Sequence, residues 1–117
     1  MKTETLAKPG TNKTMNIIAQ ELAFKYMQAN GYKVLLRNYE CALGEIHIIA
    51  KKDNCLIFAH VVLDKESQEL IKEAKRTSAY YVKRYGITNI CSRFDVVSVH
   101  IIPDKEPVIK IATVGFK

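Results

Sequence analysis

The spacing of hydrophobic positions along the chain alternates between a helical period and a strand period. From Thr14 to Gly31 apolar residues recur every three or four positions, which predicts an amphipathic helix. The same pattern returns between Asp64, a suitable capping residue, and Gly86, a suitable helix end. Shorter apolar segments predict strands at residues 34–39, 45–51, 55–63, 93–101 and 108–113.

These elements follow the order α-β-β-β-α-β-β, which predicts a mixed β-sheet flanked by helices in an α/β or α+β domain. The chain has 117 residues, the length of one domain. Residues 1–13 carry Pro9 and Gly10 in a polar context and predict a flexible N-terminal arm. Residues 14–117 then form a single domain.

The second and third predicted strands flank Asp53-Asn54, a sequence typical of a tight β-hairpin turn. A hairpin that turns there aligns residue 47 with residue 60, so His47 and His60 are expected to be cross-strand neighbours. Strict alternation along the strand would also place Glu45, His47 and Ile49 on one face. The hairpin is therefore where the sequence concentrates candidate chemistry.

Lys and Arg number 18 against 12 Asp and Glu, a formal charge of +6 that is compatible with a polyanionic partner. The alternative is that the mixed charges of the second helix are simply a solvated face. No apolar run approaches the roughly 20 residues of a membrane helix, and the N-terminus lacks a secretory signal, which predicts a cytoplasmic protein without membrane contact. Candidate phosphate contacts on the second helix are Lys72, Lys75, Arg76, Lys83 and Arg84.

Other conspicuous residues have structural interpretations. Cys41, Cys55 and Cys91 are widely spaced and form no CxxC pair, which predicts buried thiols rather than a zinc ribbon or a redox dithiol. Arg93 and Asp95 share one face of a strand and predict an ion pair. His100 lies near a strand end, and the sequence indicates no partner for it.

Several separated motifs together resemble the YraN-like family of small bacterial proteins, which belongs to the restriction-endonuclease-like, PD-(D/E)xK superfamily. The resemblance spans about residues 15–100, with the spacings intact through the hairpin. It implies a restriction-endonuclease-like core and nucleic acid as the ancestral substrate class. The motifs are Ala19-Gln20-Glu21-Leu22-Ala23, Asn30-Gly31-Tyr32, Leu36-Arg37-Asn38-Tyr39, Leu43-Gly44-Glu45-Ile46-His47-Ile48-Ile49-Ala50 and Arg93-Phe94-Asp95-Val96-Val97.

The same resemblance implies that the catalytic positions are substituted. Where the family pattern has acidic residues in the first helix, in Gly-Glu-Ile-Asp and in Glu-Val-Lys, this chain has Gln20, His47 and His60. Val62 replaces the lysine of the last motif. Mg²⁺ prefers oxygen ligands, and these residues supply neither a set of carboxylates nor a lysine to orient water. We therefore expect no Mg²⁺-dependent cleavage and no cofactor.

Three interpretations of function follow. The first is a nuclease-fold protein that has lost its catalytic residues and binds nucleic acid, DNA foremost, without cleaving it. The second is a protein-interaction or structural module, with a homodimer or another protein as partner. The third is an enzyme with a transition-metal site built from His47 and His60 with Glu45 or Asp64, because imidazole suits ions such as Zn²⁺. The alternative to the third interpretation is that His47 and His60 only fill the former active-site cleft and bind no metal.

Overall fold

The computed structural model of the chain describes residues 7–64 and 68–115, with side chains from Thr14 onward. Two helices and five strands follow each other in the predicted order α-β-β-β-α-β-β. The predicted hairpin and both helix ends at glycine are confirmed: Asp53 and Asn54 have φ of 52° and 63°, and Gly31 has φ of 89°. The elements are α1 (Ala7–Ala29), β1 (Lys33–Cys41), β2 (Gly44–Lys52), β3 (Cys55–Leu63), α2 (Gln68–Arg84), β4 (Cys91–His100) and β5 (Val108–Val114).

The strands form one five-stranded mixed sheet in the order β1-β2-β3-β4-β5. Only the β3–β4 pair is parallel, and α2 is the crossover between these two strands. Helix α1 packs on one face of the sheet through Ala19, Ala23 and Met27, and α2 packs on the other through Ala74. The predicted α+β architecture, a mixed sheet flanked by helices, is confirmed and agrees with the restriction-endonuclease-like core that the resemblance implies. Neither described helix combines the length and apolar content needed to cross a bilayer.

Helix α1 begins at Ala7, seven residues before the predicted start at Thr14. The prediction treated Pro9 and Gly10 as helix breakers. Pro9 instead lies in the first turn, where its missing N–H would have no intrahelical acceptor in any case. Residues 1–6 of the predicted arm lie outside the described residues, and its flexibility stays a prediction.

The prediction of buried thiols is wrong for two of the three cysteines. Cys55 and Cys91 form a disulfide, with their Cα atoms 4.5 Å apart. They are direct partners at the start of the parallel β3–β4 ladder, a register that the sequence alone does not fix. Cys41 is a free, half-buried thiol.

Arg93, Asp95 and Tyr32 form a polar network at the parallel pair. The guanidinium of Arg93 donates to both carboxylate oxygens of Asp95, Nε to Oδ1 at 3.0 Å and one terminal nitrogen to Oδ2 at 2.9 Å. It also donates to the Tyr32 hydroxyl at 3.2 Å. The hydrogen bond to fully buried Asp95 raises the pKa of Arg93, while burial raises the pKa of Tyr32. The predicted ion pair is confirmed.

His100 also has a partner, which the sequence did not indicate. Its Nδ1 lies 2.5 Å from Oδ1 of Asp64, at the ends of β4 and β3. Both side chains are exposed. The backbone N–H of Asp64 donates to the carbonyl of Val99, which holds the end of β3 beside β4.

Candidate functional site

A cleft opens where β2 and β3 stop pairing with each other. The antiparallel ladder runs from Lys52 and Cys55 to Ile48 and Ala59. In a regular strand, Ile46 and Ile48 would point to the same face of the sheet. Here Ile48 packs on the face covered by α1 and Ile46 packs on the face covered by α2, so the side-chain alternation of β2 breaks at His47. Asn38, at the corresponding position of β1, has φ of 57° and marks the same kink. The prediction that Glu45, His47 and Ile49 share one face of the strand is therefore wrong: Glu45 and His47 line the cleft, whereas Ile49 packs against α2.

His47 and His60 form the floor of the cleft. Their rings stack with centroids 4.5 Å apart and planes at 16°. The backbone N–H of Val61 donates to Nδ1 of His47 at 2.9 Å. Because Nδ1 accepts this bond, the neutral ring carries its hydrogen on Nε2, which lies 3.6 Å from Oε2 of Glu45. The predicted cross-strand neighbours are confirmed, and the backbone of β3 fixes the orientation of one of them.

The walls of the cleft come from both helices and from the start of β2. Helix α1 contributes Asn16 and Gln20, one helical turn apart, and α2 contributes Leu70 and Glu73. The Glu45 side chain, half exposed, closes the β2 side. The cavity has a volume of about 220 Å³. Its described lining therefore combines carboxamides, carboxylates and imidazoles with a few apolar groups, and it contains no Lys or Arg.

Gly44 allows α2 to approach the start of β2. Its φ is 151°, and a Cβ at this position would lie 2.8 Å from Cγ of Glu73 and 2.9 Å from Oγ1 of Thr77. Any larger residue would push Glu73 away from the cleft. Thr77 is itself held by a hydrogen bond from its hydroxyl to the carbonyl of Glu73 at 2.8 Å.

The structure brings most of the predicted site residues together. Gln20, Glu45, His47 and His60 all line the cleft, whereas Val62 is buried in β3 and does not. Asp64, an alternative ligand in the transition-metal interpretation, contacts His100 instead.

Sequence reasoning missed four lining residues, Asn16, Val61, Leu70 and Glu73. The four-residue spacing to Gln20 could have indicated Asn16, which shares the same helix face. Leu70 is apolar but 46% exposed, and it forms a wall of the cleft. Glu73 depends on the close approach at Gly44, a tertiary contact that no local pattern signals.

The donor set does not fit the magnesium site that the fold implies. Mg²⁺ prefers near-octahedral oxygen coordination, and the two side chains at the floor are imidazoles. The rings also suit a shared transition metal poorly, because stacked, nearly parallel rings keep their in-plane lone pairs in two separate planes that do not converge on one ion. Over residues 7–64 and 68–115, no group of three or more His, Cys, Asp and Glu side chains is arranged to hold a metal ion.

The predicted basic residues lie along α2 outside the cleft. Lys72, Arg76 and Lys83 recur at spacings of four and seven residues and are exposed on one face of the helix. Arg84 is also exposed, with its guanidinium 5.2 Å from the ring centroid of Tyr85, whereas Lys75 is half-buried. Tyr80 is 38% exposed among these cations, and Tyr85 is 54% exposed. We call Lys72, Arg76 and Lys83 the α2 cationic face.

A five-stranded mixed sheet between two helices, with a cleft where β2 and β3 separate, agrees with the restriction-endonuclease-like class that the resemblance implies. Residues 19–99 match the model of the family described as "Uncharacterised protein family UPF0102". The chain belongs to this family, which confirms the YraN-like resemblance.

Relatives in this family cover most of the chain. A UPF0102 protein of Caldicellulosiruptor saccharolyticus is 35% identical over 92 residues, which are 70% of this chain and 78% of the relative. One from Caldanaerobacter subterraneus is 28% identical over 108 residues, 84% and 88% of the two chains. One from Clostridium acetobutylicum is 34% identical over 98 residues, 75% and 80% of the two chains.

Proposed function

We propose that this protein binds nucleic acid, DNA foremost, on a restriction-endonuclease-like scaffold and does not cleave it with Mg²⁺. The observation that carries the proposal is the stacked pair of imidazoles at the floor of the cleft, with ring centroids 4.5 Å apart. These rings stand where the family resemblance implies metal-binding carboxylates. The scaffold is retained, while the donor chemistry of the site is different.

The argument against cleavage rests on the groups that phosphodiester hydrolysis needs. A bound Mg²⁺ polarises the phosphate and lowers the pKa of the attacking water, and its ligands are oxygens. Gln20 supplies only a neutral amide oxygen, and Val62 is a buried apolar side chain. Glu45 and Glu73 line the cleft, but the buried side chains at its floor are the imidazoles of His47 and His60.

The argument for binding rests on the α2 cationic face. Three exposed cations on one helix face, with half-exposed Tyr80 beside them, offer phosphate contacts and one aromatic surface to a nucleic-acid strand. The net charge of +6 favours approach of a polyanion from any direction. The phosphate backbone is expected on α2 rather than inside the cleft, whose described lining is acidic and amide-rich.

The test is fluorescence anisotropy of labelled duplex and branched DNA in a salt titration. We expect affinity to fall steeply with salt, because bound Lys and Arg release counterions from the phosphates. The double variant Lys72→Ala/Arg76→Ala should reduce the slope of log K against log salt by about 2, roughly one unit for each lost phosphate contact.

The matched control removes the same charge from another part of the molecule. Lys105→Ala/Lys110→Ala lies in the turn before β5 and on β5 itself, at the edge of the sheet. It should leave the slope unchanged. Equal losses in both variants would show that net charge alone attracts DNA, and absence of binding at low salt would refute the proposal.

A protein-interaction module is the second candidate, favoured by one observation. Ile17 and Ile18 are 59% and 42% exposed on α1, next to cleft residue Asn16. Exposed aliphatic side chains of this size suit a protein partner, a second copy of the chain included. A cytoplasmic location stays a prediction, and the Cys55–Cys91 disulfide is uncommon for a reducing compartment.

A further inference from the structure

The described lining of the cleft is electrostatically unfavourable for a phosphate. Glu45 and Glu73 face it from β2 and α2, and among its described lining residues there is no Lys or Arg. Within this described lining, a phosphate would meet two carboxylates and no compensating cation. The ligand that suits this lining is neutral, carries N–H donors for the carboxylates, and is small enough for about 220 Å³.

His47 and Glu45 place a hydrogen-bond donor beside an acceptor. The Val61 N–H holds His47 in the tautomer with hydrogen on Nε2, and this nitrogen lies 3.6 Å from Oε2 of Glu45. A planar ligand whose edge carries an acceptor next to one or two N–H groups complements this arrangement. The edge of an unpaired nucleobase that normally forms Watson–Crick pairs has this composition.

Among the bases, guanine matches the carboxylate best. Its pairing edge presents two adjacent N–H donors, N1–H and the N2 amino group, beside the O6 acceptor. A carboxylate can accept both hydrogen bonds, and bonds to a charged acceptor are the stronger kind. Adenine offers one amino group beside a ring acceptor, and thymine offers one ring N–H between two acceptors. The amides of Asn16 and Gln20 on the opposite wall can serve the remaining polar atoms.

The α2 helix connects this cleft to the proposed phosphate contacts. Glu73 and Leu70 line the cleft, while Lys72 and Arg76 extend from the adjacent exposed face of the same helix. We propose that the cleft is a base-binding slot for an unpaired guanine of a strand whose backbone lies on the α2 cationic face. This inference rests on the proposed function, which supplies the strand. In a nuclease of this fold the scissile phosphate enters the cleft, whereas here the group that enters is a base.

The test uses the full chain and labelled thymidine oligonucleotides that differ at one central position. That position holds guanine, hypoxanthine (which lacks the N2 amino group) or an abasic site. We expect the guanine oligonucleotide to bind at least about fivefold more tightly than the hypoxanthine one, from one lost charge-assisted hydrogen bond, and more tightly still than the abasic one. Glu45→Gln should abolish the preference without weakening the abasic complex, whereas Glu106→Gln, which removes the same charge in the loop before β5, should keep it.

A second readout separates this inference from the proposed function. Guanosine, which has no phosphate, is titrated into the labelled protein and followed by amide NMR shifts. Shifts at cleft residues without binding of any oligonucleotide would support the slot and refute the proposed function. Oligonucleotide binding that ignores the central base would refute the slot and leave the proposed function standing. Absence of both responses would overturn both.

Discussion

The sheet carries two clusters of buried polar side chains that differ in how their hydrogen bonds are completed. At the parallel β3–β4 pair, Asp95 receives two hydrogen bonds from Arg93, which also reaches Tyr32. At the diverging ends of β2 and β3, His47 receives one hydrogen bond from the Val61 backbone and faces an open cleft. We call Arg93, Asp95 and Tyr32 the closed cluster, because these side chains hydrogen-bond to one another. We call Glu45, His47 and His60 the open cluster, because these side chains line the cleft.

Both clusters contain buried side chains of the sheet, but the difference in their hydrogen bonding indicates that they have different roles. A charged group without solvent contact must be neutralised by its neighbours, and Asp95 satisfies this requirement within the fold. The open cluster has two imidazoles at the floor of the cleft and leaves Glu45 half exposed. We expect substitutions in the closed cluster to act on stability and substitutions in the open cluster to act on binding.

The largest expected effect is that of Arg93→Met in the closed cluster. Removing the guanidinium leaves the Asp95 carboxylate buried and uncompensated, which should lower the free energy of unfolding by about 3 kcal/mol. Urea denaturation measures this change. Arg84→Met, which removes an exposed cation of α2, is the control and should change stability by less than about 0.5 kcal/mol. A loss below about 1 kcal/mol in Arg93→Met would argue against the closed network.

The Cys55–Cys91 disulfide lies on the same strand pair as the closed cluster. It links residues separated by 36 positions, so its reduction should lower the free energy of unfolding by about 2–4 kcal/mol. Denaturation with and without a reductant measures the effect, in a Cys41→Ala background that prevents thiol exchange. If reduction leaves both the stability and the free-thiol count unchanged, the disulfide assignment is wrong.

His47→Leu should have an intermediate effect on stability. The substitution leaves the buried Val61 N–H without its acceptor and should cost about 1–3 kcal/mol. His100→Leu is the matched control, because its exposed pair with Asp64 should contribute at most about 1 kcal/mol. Equal losses for the two histidines would contradict the assigned difference between them. The measurement is urea denaturation of both variants at one pH.

The smallest stability effect is expected for Glu45→Gln in the open cluster. Its side chain is half exposed, so the free energy of unfolding should change by less than about 0.5 kcal/mol. Selectivity for the central base of the oligonucleotide should nevertheless change. A large destabilisation would place Glu45 with the structural residues and weaken the contrast between the two clusters.

Local patterns were sufficient to predict much of this molecule. The Asp53-Asn54 turn determines the hairpin register, and that register alone places His47 beside His60. The element order and the pairing of Arg93 with Asp95 also follow from short-range spacing. Each of these features depends on residues that are close in sequence or joined by one tight turn.

The features that were missed depend on contacts between distant segments. The Cys55–Cys91 disulfide and the Asp64–His100 pair both require the parallel β3–β4 register, which no turn determines. Glu73 reaches the cleft because Gly44 lets α2 approach, and Gly44 alone does not indicate which helix residue will approach it. The early start of α1 reflects tolerance of Pro9 in a first turn.

The most direct test of the account reads binding and cleavage in one sample. Labelled duplex and branched DNA are incubated with the unaltered protein and Mg²⁺ at low salt, the anisotropy is recorded, and the same DNA is then run on a denaturing gel. We expect salt-sensitive binding to DNA whose strands remain intact. Cleaved strands would show that the cleft assembles a catalytic site after all, and intact strands without binding at low salt would show that the protein does not recognise DNA.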